Sequence, residues 1–448
     1  MRVAHSEHVR PENYRRFERE VPAWYRDAKF GIFVHWGAYS VPAWAEPIGE
    51  LGTIDAKTWF AHNPYAEWYA NTIRIDGSPA QQHQQDVHGG APYDDFLDRW
   101  TAEDFDADAV LDLFRRAGAR YVVPTTKHHD GITLWDAPGT DGRNTVARGP
   151  RRDLVGEFAT AARAAGLRFG VYYSGGLDWH VSDFPALDDM DFSARRPVDE
   201  AYTDYANAHL DDLVERYAPD VLWGDIEWPD AGKPAGPRSF EHVLDRFYAA
   251  NPEGVVNDRF GATHWDFRTS EYQQGRDNED DSAWENCRGV GYSFGYNQVE
   301  DASHYMDGPA AVRHLLDVVS RGGNFLLNVG PDSRGRIPEL QRQCLEGVAD
   351  WMELHAAAVH GTTVLDAALA SAGEEPWVRW TRAGDTAHAV VDAAGEVALA
   401  ADPARLDVAS ARLLDGTPVP ARAEGDGIVV DVPAAKVPGP VVVALDLR

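Results

Sequence analysis

Side chains that can hold or move protons stand at the ends of short apolar runs throughout the first 330 residues. They include imidazoles, carboxylates, amides, phenols and a guanidinium, and the set is His35, His128, His129, Asp130, Tyr172, Tyr173, Asp225, Glu227, Asn257, Asp258, Arg259, Glu271, Asn297 and Asn328. Two of the carboxylates, Asp225 and Glu271, come from different runs, as acid–base chemistry on a single bond requires. The spacing therefore predicts one polar site to which many separate segments contribute.

Three kinds of chemistry are compatible with such a site. A zinc-dependent hydrolase is disfavoured, because barrel metallohydrolases place two histidines at alternate positions, whereas His128 and His129 are adjacent and a strand directs neighbours to opposite faces. The sequence also contains no HExxH motif and no cysteine-rich ligand set. A non-catalytic sugar-binding protein would use the aromatic and imidazole side chains without paired carboxylates. A glycosidase needs two carboxylates that flank one anomeric carbon, and Asp225 with Glu271 supplies that pair.

The elements that must position these residues are eight short apolar runs, each of which predicts a β-strand. They cover residues 30–37, 120–131, 168–176, 220–229, 254–261, 269–274, 291–297 and 324–331. Helical patterns separate several runs, and one of them begins after the N-cap residue Asp153 and ends at Gly166. Alternating strands and helices imply a parallel sheet, so the sequence predicts an α/β fold with a (β/α)8-like, TIM-type barrel whose site lies at the C-terminal strand ends. Helices after the later strands are poorly marked.

After residue 331 the alternation of strands and helices gives way to one helix followed by a series of short strands. A helix with Pro338 near its start and Cys344, Val348 and Met352 on one face follows the last run. Residues 377–382, 387–393, 396–401, 427–432 and 441–447 then predict strands of a small antiparallel β-sandwich. We expect a catalytic barrel domain over residues 1–360 and a C-terminal β-sandwich domain over residues 361–448, the latter without a catalytic cluster.

Charge and composition limit the classes of partner and cofactor. The 72 acidic and 42 basic residues give a formal net charge of −30, which disfavours nucleic acids and anionic membranes as partners. Cys287 and Cys344 stand far apart and predict two idle thiols, with neither a disulfide framework nor a metal site. The charged segment 1–22 lacks the apolar stretch of a secretory signal, so a cytoplasmic location is expected. We expect no membrane span, no metal and no organic cofactor.

Long motifs in a fixed order give the chain a resemblance to a known family. They include WYRDAKFGIFVHWGAYSVPAWAEP (24–47), NPYAEWYANTIR (63–74), YVVPTTKHHDGITLWDAP (121–138), PDVLWGDIEWP (219–229), VVNDRFGATHWDFRTSEY (255–272) and VVSRGGNFLLNVGPDSRGRIPE (318–339). On these motifs the chain resembles glycoside hydrolase family 29, the α-L-fucosidases, over nearly the whole predicted barrel. The similarity is closest to the broad-specificity subfamily, which accepts simple aryl fucosides.

The resemblance implies a retaining exo-α-L-fucosidase that uses two carboxylates and needs neither metal nor cofactor. The family nucleophile matches Asp225, and the family acid/base matches Glu271. The resemblance also assigns substrate-binding roles to residues of this sequence. The fucose hydroxyls would be bound by His35, Glu67, Trp68, His128, His129, Tyr172 and Arg259, and the C5 methyl group would lie among Phe33, Trp223 and Phe294. The implied partner is a fucosylated oligosaccharide, glycoconjugate or aryl fucoside, and a homo-oligomer is compatible with it.

The general acid is the role with the most alternatives, since Glu67, Glu227 and Glu285 also lie in stretches that could reach the site. Glu67 is better suited to accepting sugar hydroxyls. Glu227 shares strand parity with Asp225 and is expected to point the same way. Glu285 is expected to anchor a long loop. The stretch 277–286, DNEDDSAWEN, is unusually acidic for the family. The resemblance therefore does not define the part of the site that contacts the aglycone, and linkage preference is left open.

Overall fold

A computed structural model describes residues 10–182, 185–188, 193–272 and 282–448. Its centre is a sheet of eight parallel strands, namely β1 (Phe30–Val34), β2 (Tyr121–Lys127), β3 (Arg168–Ser174), β4 (Val221–Asp225), β5 (Val255–Val256), β6 (Arg268–Glu271), β7 (Trp284–Gly289) and β8 (Asn324–Val329). Their order in the sheet is β5, β4, β3, β2, β1, β8, β7, β6. The two outer strands meet at an isolated parallel bridge between Asn257 and Phe267, so the sheet curls round on itself. The predicted TIM-type α/β architecture is confirmed.

The central strands form because their residues are apolar enough to be covered on both sides. Every residue of β1 and β8 is buried, which is the pattern of a parallel strand enclosed within a barrel wall. Phe33 of β1 pairs with Val123 of β2 and with Asn328 of β8. This register brings the C-terminal ends of three neighbouring strands to one edge, and His35 follows β1 there.

Helices connect and cover the strands. The α-helices among the described residues are α1 (Ala23–Ala28), α2 (Ala56–Ala61), α3 (Tyr69–Thr72), α4 (Pro79–His88), α5 (Asp94–Arg99), α6 (Ala107–Arg116), α7 (Leu154–Ala164), α8 (Glu200–Tyr217), α9 (Glu241–Ala250), α10 (Gly308–Val319) and α11 (Glu339–His355). The predicted helix after Asp153 is α7: the Asp153 carboxylate accepts a hydrogen bond from the Gly156 N–H, and Gly166 has a φ of +75° after the last turn.

The seventh strand was predicted in the wrong place. The structure has it at Trp284–Gly289, whereas residues 291–297 form turns and loop after it. The true strand reads WENCRG and carries the buried polar residues Glu285, Asn286 and Arg288. An apolar-run criterion passes over such a segment because its polar groups are satisfied inside the fold rather than by water.

The weak helical patterns after the later strands correspond to a shortened unit only after β5, since α10 and α11 follow β7 and β8. Only a 3-10 turn, Asp258–Phe260, lies between β5 and β6. Among the described residues between β6 and β7 there is no helix, and residues 273–281 of that connection lie outside them. The end of the predicted sixth run (273–274) and the first half of the acidic stretch (277–281) therefore fall outside the described residues.

The C-terminal part consists of antiparallel strands, as predicted. The strands are β9 (Thr363–Val364), β10 (Gly373–Glu374), β11 (Trp377–Ala383), β12 (Thr386–Val391), β13 (Gly395–Leu399), β14 (Leu406–Leu413), β15 (Ala421–Glu424), β16 (Gly427–Val432) and β17 (Val441–Leu447). They form one sheet around β11, β12 and β17 and a second in the order β13, β16, β15. Sequence analysis missed β9, β10, β14 and β15. The first two have only two residues each, and half-exposed or exposed residues break the apolar pattern of β14 and β15.

Contacts join the C-terminal strands to the barrel helices. The Arg379 guanidinium on β11 binds the Asp317 carboxylate on α10, and both side chains are buried. The Trp351 indole N–H on α11 donates to the Pro440 carbonyl at 2.8 Å. Cys287 and Cys344 are buried, free thiols. A search of the described residues finds no helix with the length and hydropathy that crossing a membrane requires.

Candidate active site

Of the polar residues at the ends of the predicted runs, Asp130, Tyr173, Glu227, Asn257, Asp258, Asn297 and Asn328 do not line the pocket at the C-terminal end of the barrel strands. The twelve side chains to which the family resemblance gives a role all line it. They are Phe33, His35, Glu67, Trp68, His128, His129, Tyr172, Trp223, Asp225, Arg259, Glu271 and Phe294. Asp225 and Glu271 are the last residues of β4 and β6, and His35 and His128 follow β1 and β2. Parallel strands ending at one edge explain why residues so far apart in sequence meet here.

Asp225 is held by donors on both of its carboxylate oxygens. The Tyr172 hydroxyl donates to Oδ2 at 2.7 Å. The Arg259 guanidinium and the Ile226 N–H donate to Oδ1 at 3.2 and 3.0 Å. His129 Nε2 lies 3.7 Å from Oδ2. The side chain is 10% exposed, so this carboxylate is fixed in orientation at the pocket wall and is open to a ligand.

Arg259 joins the two carboxylates of the pocket. Its Nη1 donates to Asp225 Oδ1 at 3.2 Å and its Nη2 donates to Glu271 Oε2 at 3.0 Å. Its Nε donates to the Thr269 hydroxyl at 2.9 Å, which fixes the plane of the guanidinium. Glu271 is held on its other oxygen by the Tyr65 hydroxyl at 2.9 Å. One rigid, planar cation therefore sets the mutual position of two acids from different strands.

The chain reverses direction directly after Asp225, and this corrects the expected position of Glu227. Ile226 and Glu227 have φ angles of +59° and +74°, so strand parity ends at Asp225. The Glu227 carboxylate binds Arg196 at 3.2 Å and the Lys233 ammonium, outside the pocket. The tight turn also explains Gly176, where an added Cβ would come within 1.6 Å of the Ile226 carbonyl oxygen.

The pocket histidines are held neutral. Burial lowers the pKa of His35 to about 3 and holds the pKa values of His128 and His129 well below their usual range. His35 Nδ1 is hydrogen-bonded to the Asn328 amide oxygen at 2.7 Å, and His129 Nδ1 to the Ser174 hydroxyl at 2.7 Å. These partners leave Nε2 of each ring for other contacts.

Strand geometry predicted that the adjacent residues His128 and His129 would point to opposite sides, and this prediction was wrong. Strand β2 ends at Lys127, so His128 and His129 lie in the following turn, where the alternation of a strand no longer applies. Their ring centroids are 4.0 Å apart and both rings line the pocket. Among the described residues, His128 Nδ1 is a buried polar atom without a hydrogen-bond partner.

Glu67 is a buried carboxyl that also lines the pocket, and it is 2% exposed. It accepts hydrogen bonds from the Gly295 N–H at 2.7 Å and from the Ser293 hydroxyl at 3.1 Å, both on its Oε2 atom. Burial raises the pKa of Glu67 to about 7. Both of these contacts use Oε2, so Oε1 can accept a hydrogen bond from a ligand hydroxyl.

Aromatic rings form the apolar side of the pocket. The Phe33 and Trp223 ring centroids are 4.7 Å apart, and those of Phe33 and Phe294 are 6.3 Å apart. Tyr172 stacks on Trp223 with centroids 5.6 Å apart, and the Arg259 guanidinium lies 4.8 Å from the Trp223 ring. Such a patch beside polar groups suits a sugar, which has both C–H faces and hydroxyls.

Glu285 is not the loop anchor that its sequence neighbourhood predicted. It lies on β7, is fully buried, and accepts hydrogen bonds from the hydroxyls of Tyr25 at 3.1 Å and Tyr121 at 2.5 Å and from the Trp223 indole N–H at 2.9 Å. Burial raises the pKa of Glu285 to about 7. It therefore lies behind the pocket lining, within reach of Trp223 and not of a ligand.

The pocket has five further lining residues to which sequence analysis gave no role in the site, namely Leu51, Trp59, Tyr65, Ile226 and Cys287, the last expected only as an idle thiol. Tyr65 has the clearest role in the geometry, because its hydroxyl holds Glu271. It belongs to the NPYAEWY segment that also carries Glu67, and an unusually aromatic loop beside a predicted site residue is the signal that could have identified it. Nothing local marks the other four.

We next consider whether side chains of the site could bind a metal ion. Within the described ranges, no three His, Cys, Asp or Glu side chains are grouped so that they could hold a metal ion. The polar groups of the pocket are instead bonded to one another or directed at the cavity.

A larger cavity, of about 670 Å³, lies on the far side of Trp179. Its Arg143 guanidinium is bonded to the Asp94 carboxylate and the Asp130 carbonyl, and the Asp130 carboxylate accepts from Tyr93. In the part of the chain that the structure describes, the carboxylates of Asp94 and Asp130 have different partners, and no cation binds both as Arg259 binds two acids in the smaller pocket. The paired carboxylates favour the smaller pocket as the active site.

Comparison with known proteins agrees with this geometry. The family model described as Alpha-L-fucosidase matches residues 2–357. The α-L-fucosidase of Dictyostelium discoideum is 33% identical over 77% of this chain and 72% of its own length, and the human tissue α-L-fucosidase is 32% identical over 81% and 72%.

Solved structures give the same result at the level of the fold. A structure described as an alpha-L-fucosidase is 41% identical, with a TM-score of 0.89 over 96% of this chain and 98% of that one. The Thermotoga maritima α-fucosidase, solved in complex with fucose, is 40% identical, with a TM-score of 0.85 over 95% of this chain and 97% of that one. The chain therefore belongs to the α-L-fucosidase family, glycoside hydrolase family 29.

Proposed function

We propose that this protein is a retaining exo-α-L-fucosidase in which Asp225 is the nucleophile and Glu271 is the general acid/base. The observation that carries the proposal is the bridge by Arg259, because its two terminal nitrogens hold Asp225 and Glu271 in one pocket. Retaining glycosidases need two carboxyl groups only about 5–5.5 Å apart. Two acids bound to a single guanidinium are compatible with that requirement.

The reaction proceeds in two displacements. An Asp225 oxygen attacks the anomeric carbon while the bond to the leaving oxygen breaks and Glu271 delivers its proton to that oxygen. The product of this step is a fucosyl ester of Asp225 with inverted configuration. Glu271 then takes a proton from water, the water oxygen attacks the same carbon, and Asp225 leaves as a carboxylate. Two inversions restore the α configuration.

The neighbours of Asp225 support the role of nucleophile. Tyr172, Arg259 and the Ile226 N–H donate to it, which restricts its side chain to one orientation before the substrate arrives. The neutral histidines are suited to binding hydroxyls and not to proton transfer at the glycosidic oxygen, because burial holds the pKa of His35 near 3.

The substrate contacts follow the same division of the pocket. The hydroxyls of fucose are held by His35, Glu67, Trp68, His128, His129, Tyr172 and Arg259, and the C5 methyl group lies among Phe33, Trp223 and Phe294. An apolar slot accepts a methyl group where a related sugar carries CH2OH, and such slots discriminate only modestly. Some activity toward related sugars such as α-L-galactosides is therefore expected. Acceptance of simple aryl fucosides, as in the broad-specificity subfamily, and of terminal fucosyl residues of oligosaccharides rests on the family resemblance.

The division of labour along the chain is part of the proposal. Residues 1–360 supply the barrel with all the pocket side chains, and residues 361–448 supply an accessory β-sandwich. The net charge of −30 disfavours polyanions such as nucleic acid as partners. The working partner is then a neutral fucosylated glycan or glycoside.

A pair of variants tests the nucleophile. Asp225→Gly should lose essentially all turnover of nitrophenyl α-L-fucoside yet still bind fucose in calorimetry, because the hydroxyl-holding residues are untouched. Glu227→Gln is the matched control, since its carboxylate binds Arg196 and Lys233 outside the pocket, and it should retain activity. A 2-fluoro-fucosyl fluoride should label a peptide that contains Asp225.

Other outcomes would redirect the assignment. Label found on Glu227, or loss of turnover in the Glu227→Gln variant alone, would move the nucleophile to that residue. Binding of fucose by the parent protein without any turnover would instead indicate a sugar-binding protein that has kept the pocket.

A further inference from the structure

A fully buried carboxyl group lies behind the active-site pocket and takes no part in the proposed reaction. Glu285 on β7 is 0% exposed, and it is absent from the pocket lining. Three donors converge on it, from Tyr25, Tyr121 and Trp223. Burying a carboxyl group is costly unless it is hydrogen-bonded, so this arrangement calls for a function.

The contact with Trp223 differs from the other two. The phenol hydroxyls of Tyr25 and Tyr121 can rotate and can both donate and accept, whereas an indole N–H can only donate along one direction. Trp223 Nε1 is 2.9 Å from Glu285 Oε1, while both tyrosines use Oε2. One oxygen of Glu285 is thus committed to the indole, and the tyrosines hold the carboxyl plane in place.

The other contacts of Trp223 are less directional. Its ring lies against Phe33 and Tyr172, with centroid distances of 4.7 and 5.6 Å, and below the Arg259 guanidinium at 4.8 Å. Stacking and cation–π contacts tolerate sliding and tilting of the ring. The hydrogen bond to Glu285 is the contact that fixes the rotation of the indole in its own plane.

We propose that Glu285 is a positioning residue that sets the orientation of Trp223 and thereby the width of the apolar slot for the C5 substituent of the sugar. It selects a 6-deoxy sugar over the analogue with a CH2OH group without touching either one. The inference rests on the proposed function, in which Trp223, Phe33 and Phe294 surround the C5 methyl group. A ring free to tilt leaves room for the larger substituent.

The test compares kcat/KM for nitrophenyl α-L-fucoside with kcat/KM for the corresponding α-L-galactoside. Glu285→Gln, which keeps the shape and a weaker acceptor, should lower the fucoside-to-galactoside ratio roughly threefold, and Glu285→Met, which has no comparable acceptor, roughly tenfold. Neither loss exceeds the roughly 10- to 200-fold discrimination that an apolar slot can supply. Tyr121→Phe is the matched control. It removes one donor from Glu285 but leaves the indole bond, so it should lower the melting temperature and leave the ratio unchanged.

A double-mutant comparison separates positioning from general support of the fold. In a Trp223→Phe background, which has no indole N–H, Glu285→Gln should change the ratio no further. An unchanged ratio in Glu285→Gln, an equal fall in Tyr121→Phe, or an independent effect of Glu285→Gln in the Trp223→Phe background would each overturn the proposal.

The same variants remain informative if the proposed function fails. Calorimetric dissociation constants for L-fucose and L-galactose can be measured without turnover. The preference for L-fucose that they report should fall in the order parent, Glu285→Gln, Glu285→Met. A parent protein that binds fucose without hydrolysing fucosides would refute the proposed function alone. A ratio of dissociation constants unaffected in both Glu285 variants would refute the role of Glu285.

Discussion

Removal of the Tyr65 hydroxyl should impair the general acid while leaving the rest of the pocket in place. Glu271 is held on Oε1 by this hydroxyl at 2.9 Å and on Oε2 by Arg259 at 3.0 Å. A phenol can donate to a carboxylate and accept from a carboxylic acid, so it can serve Glu271 in both protonation states. In the Tyr65→Phe variant the ring remains, and Glu271 turns about its single remaining contact.

The magnitude follows from the kind of bond lost. A hydrogen bond to a charged group contributes about 1.5–3 kcal/mol. Since about 1.36 kcal/mol corresponds to a tenfold change in rate, the loss is at most roughly 13- to 160-fold in kcat/KM. This loss applies to substrates whose leaving oxygen needs a proton. A dinitrophenyl fucoside departs without protonation and should be slowed by no more than about twofold.

The assay is a series of α-L-fucosides with leaving groups from dinitrophenol to a sugar alcohol. We expect a steeper dependence of kcat/KM on leaving-group acidity in Tyr65→Phe than in the parent. Tyr272→Phe is the matched control, because the Tyr272 hydroxyl donates to the Gly291 and Tyr292 carbonyls and not to Glu271. Equal slowing of all substrates by Tyr65→Phe would refute the reasoning, because it would place the hydroxyl in substrate binding instead of acid catalysis.

Three further predictions concern protonation and stability. His128→Ala should lower kcat/KM but leave the basic limb of the pH–rate profile in place, because burial holds the pKa of His128 far below the working range; loss of that limb would give the histidine the acid role. Arg379→Met should lower the free energy of unfolding in urea by about 3–5 kcal/mol, since it leaves Asp317 buried and unpaired, whereas the exposed Arg382→Met should change it by less than about 0.5 kcal/mol. Burial raises the pKa of Glu300 from 4.5 to about 8, so the protonated side chain is favoured in the folded state. The contribution of Glu300 to stability is therefore complete below about pH 4.5 and is lost as the pH rises through 8. Glu300→Gln should therefore gain stability relative to the parent between pH 5 and 8, and a parallel pair of melting-temperature curves would contradict this.

Much of the site could be predicted because a parallel barrel gathers the ends of its strands. His35, Asp225 and Glu271 each end or follow an apolar run, and the barrel brings such ends together whatever the sequence between them. The strands themselves were recognisable where they were apolar. Strand β7 was misplaced because Glu285 and Asn286 lie on it and are satisfied by partners that are distant in sequence.

The side-chain directions predicted for Glu227, His128 and His129 were wrong because the sequence does not show at which residue each strand ends. Alternation predicted that Glu227 would point with Asp225 and that His128 and His129 would diverge. The structure ends β4 at Asp225 and β2 at Lys127, and the turns that follow send Glu227 out of the pocket and both histidines into it. Two more residues of strand would have reversed each outcome, and element boundaries are the least reliable part of a prediction from local sequence.

The sequence by itself determined the class of the fold, the strands that end at the site and the residue types that the chemistry needs, because periodicity and composition are local properties. Only the tertiary structure decided which donor meets which acid. Arg259 is 34 residues from Asp225 and 12 from Glu271, and Tyr65 is 206 residues from Glu271. No local pattern records such pairings, since they arise from the closure of the barrel and from the loops that pack over its mouth.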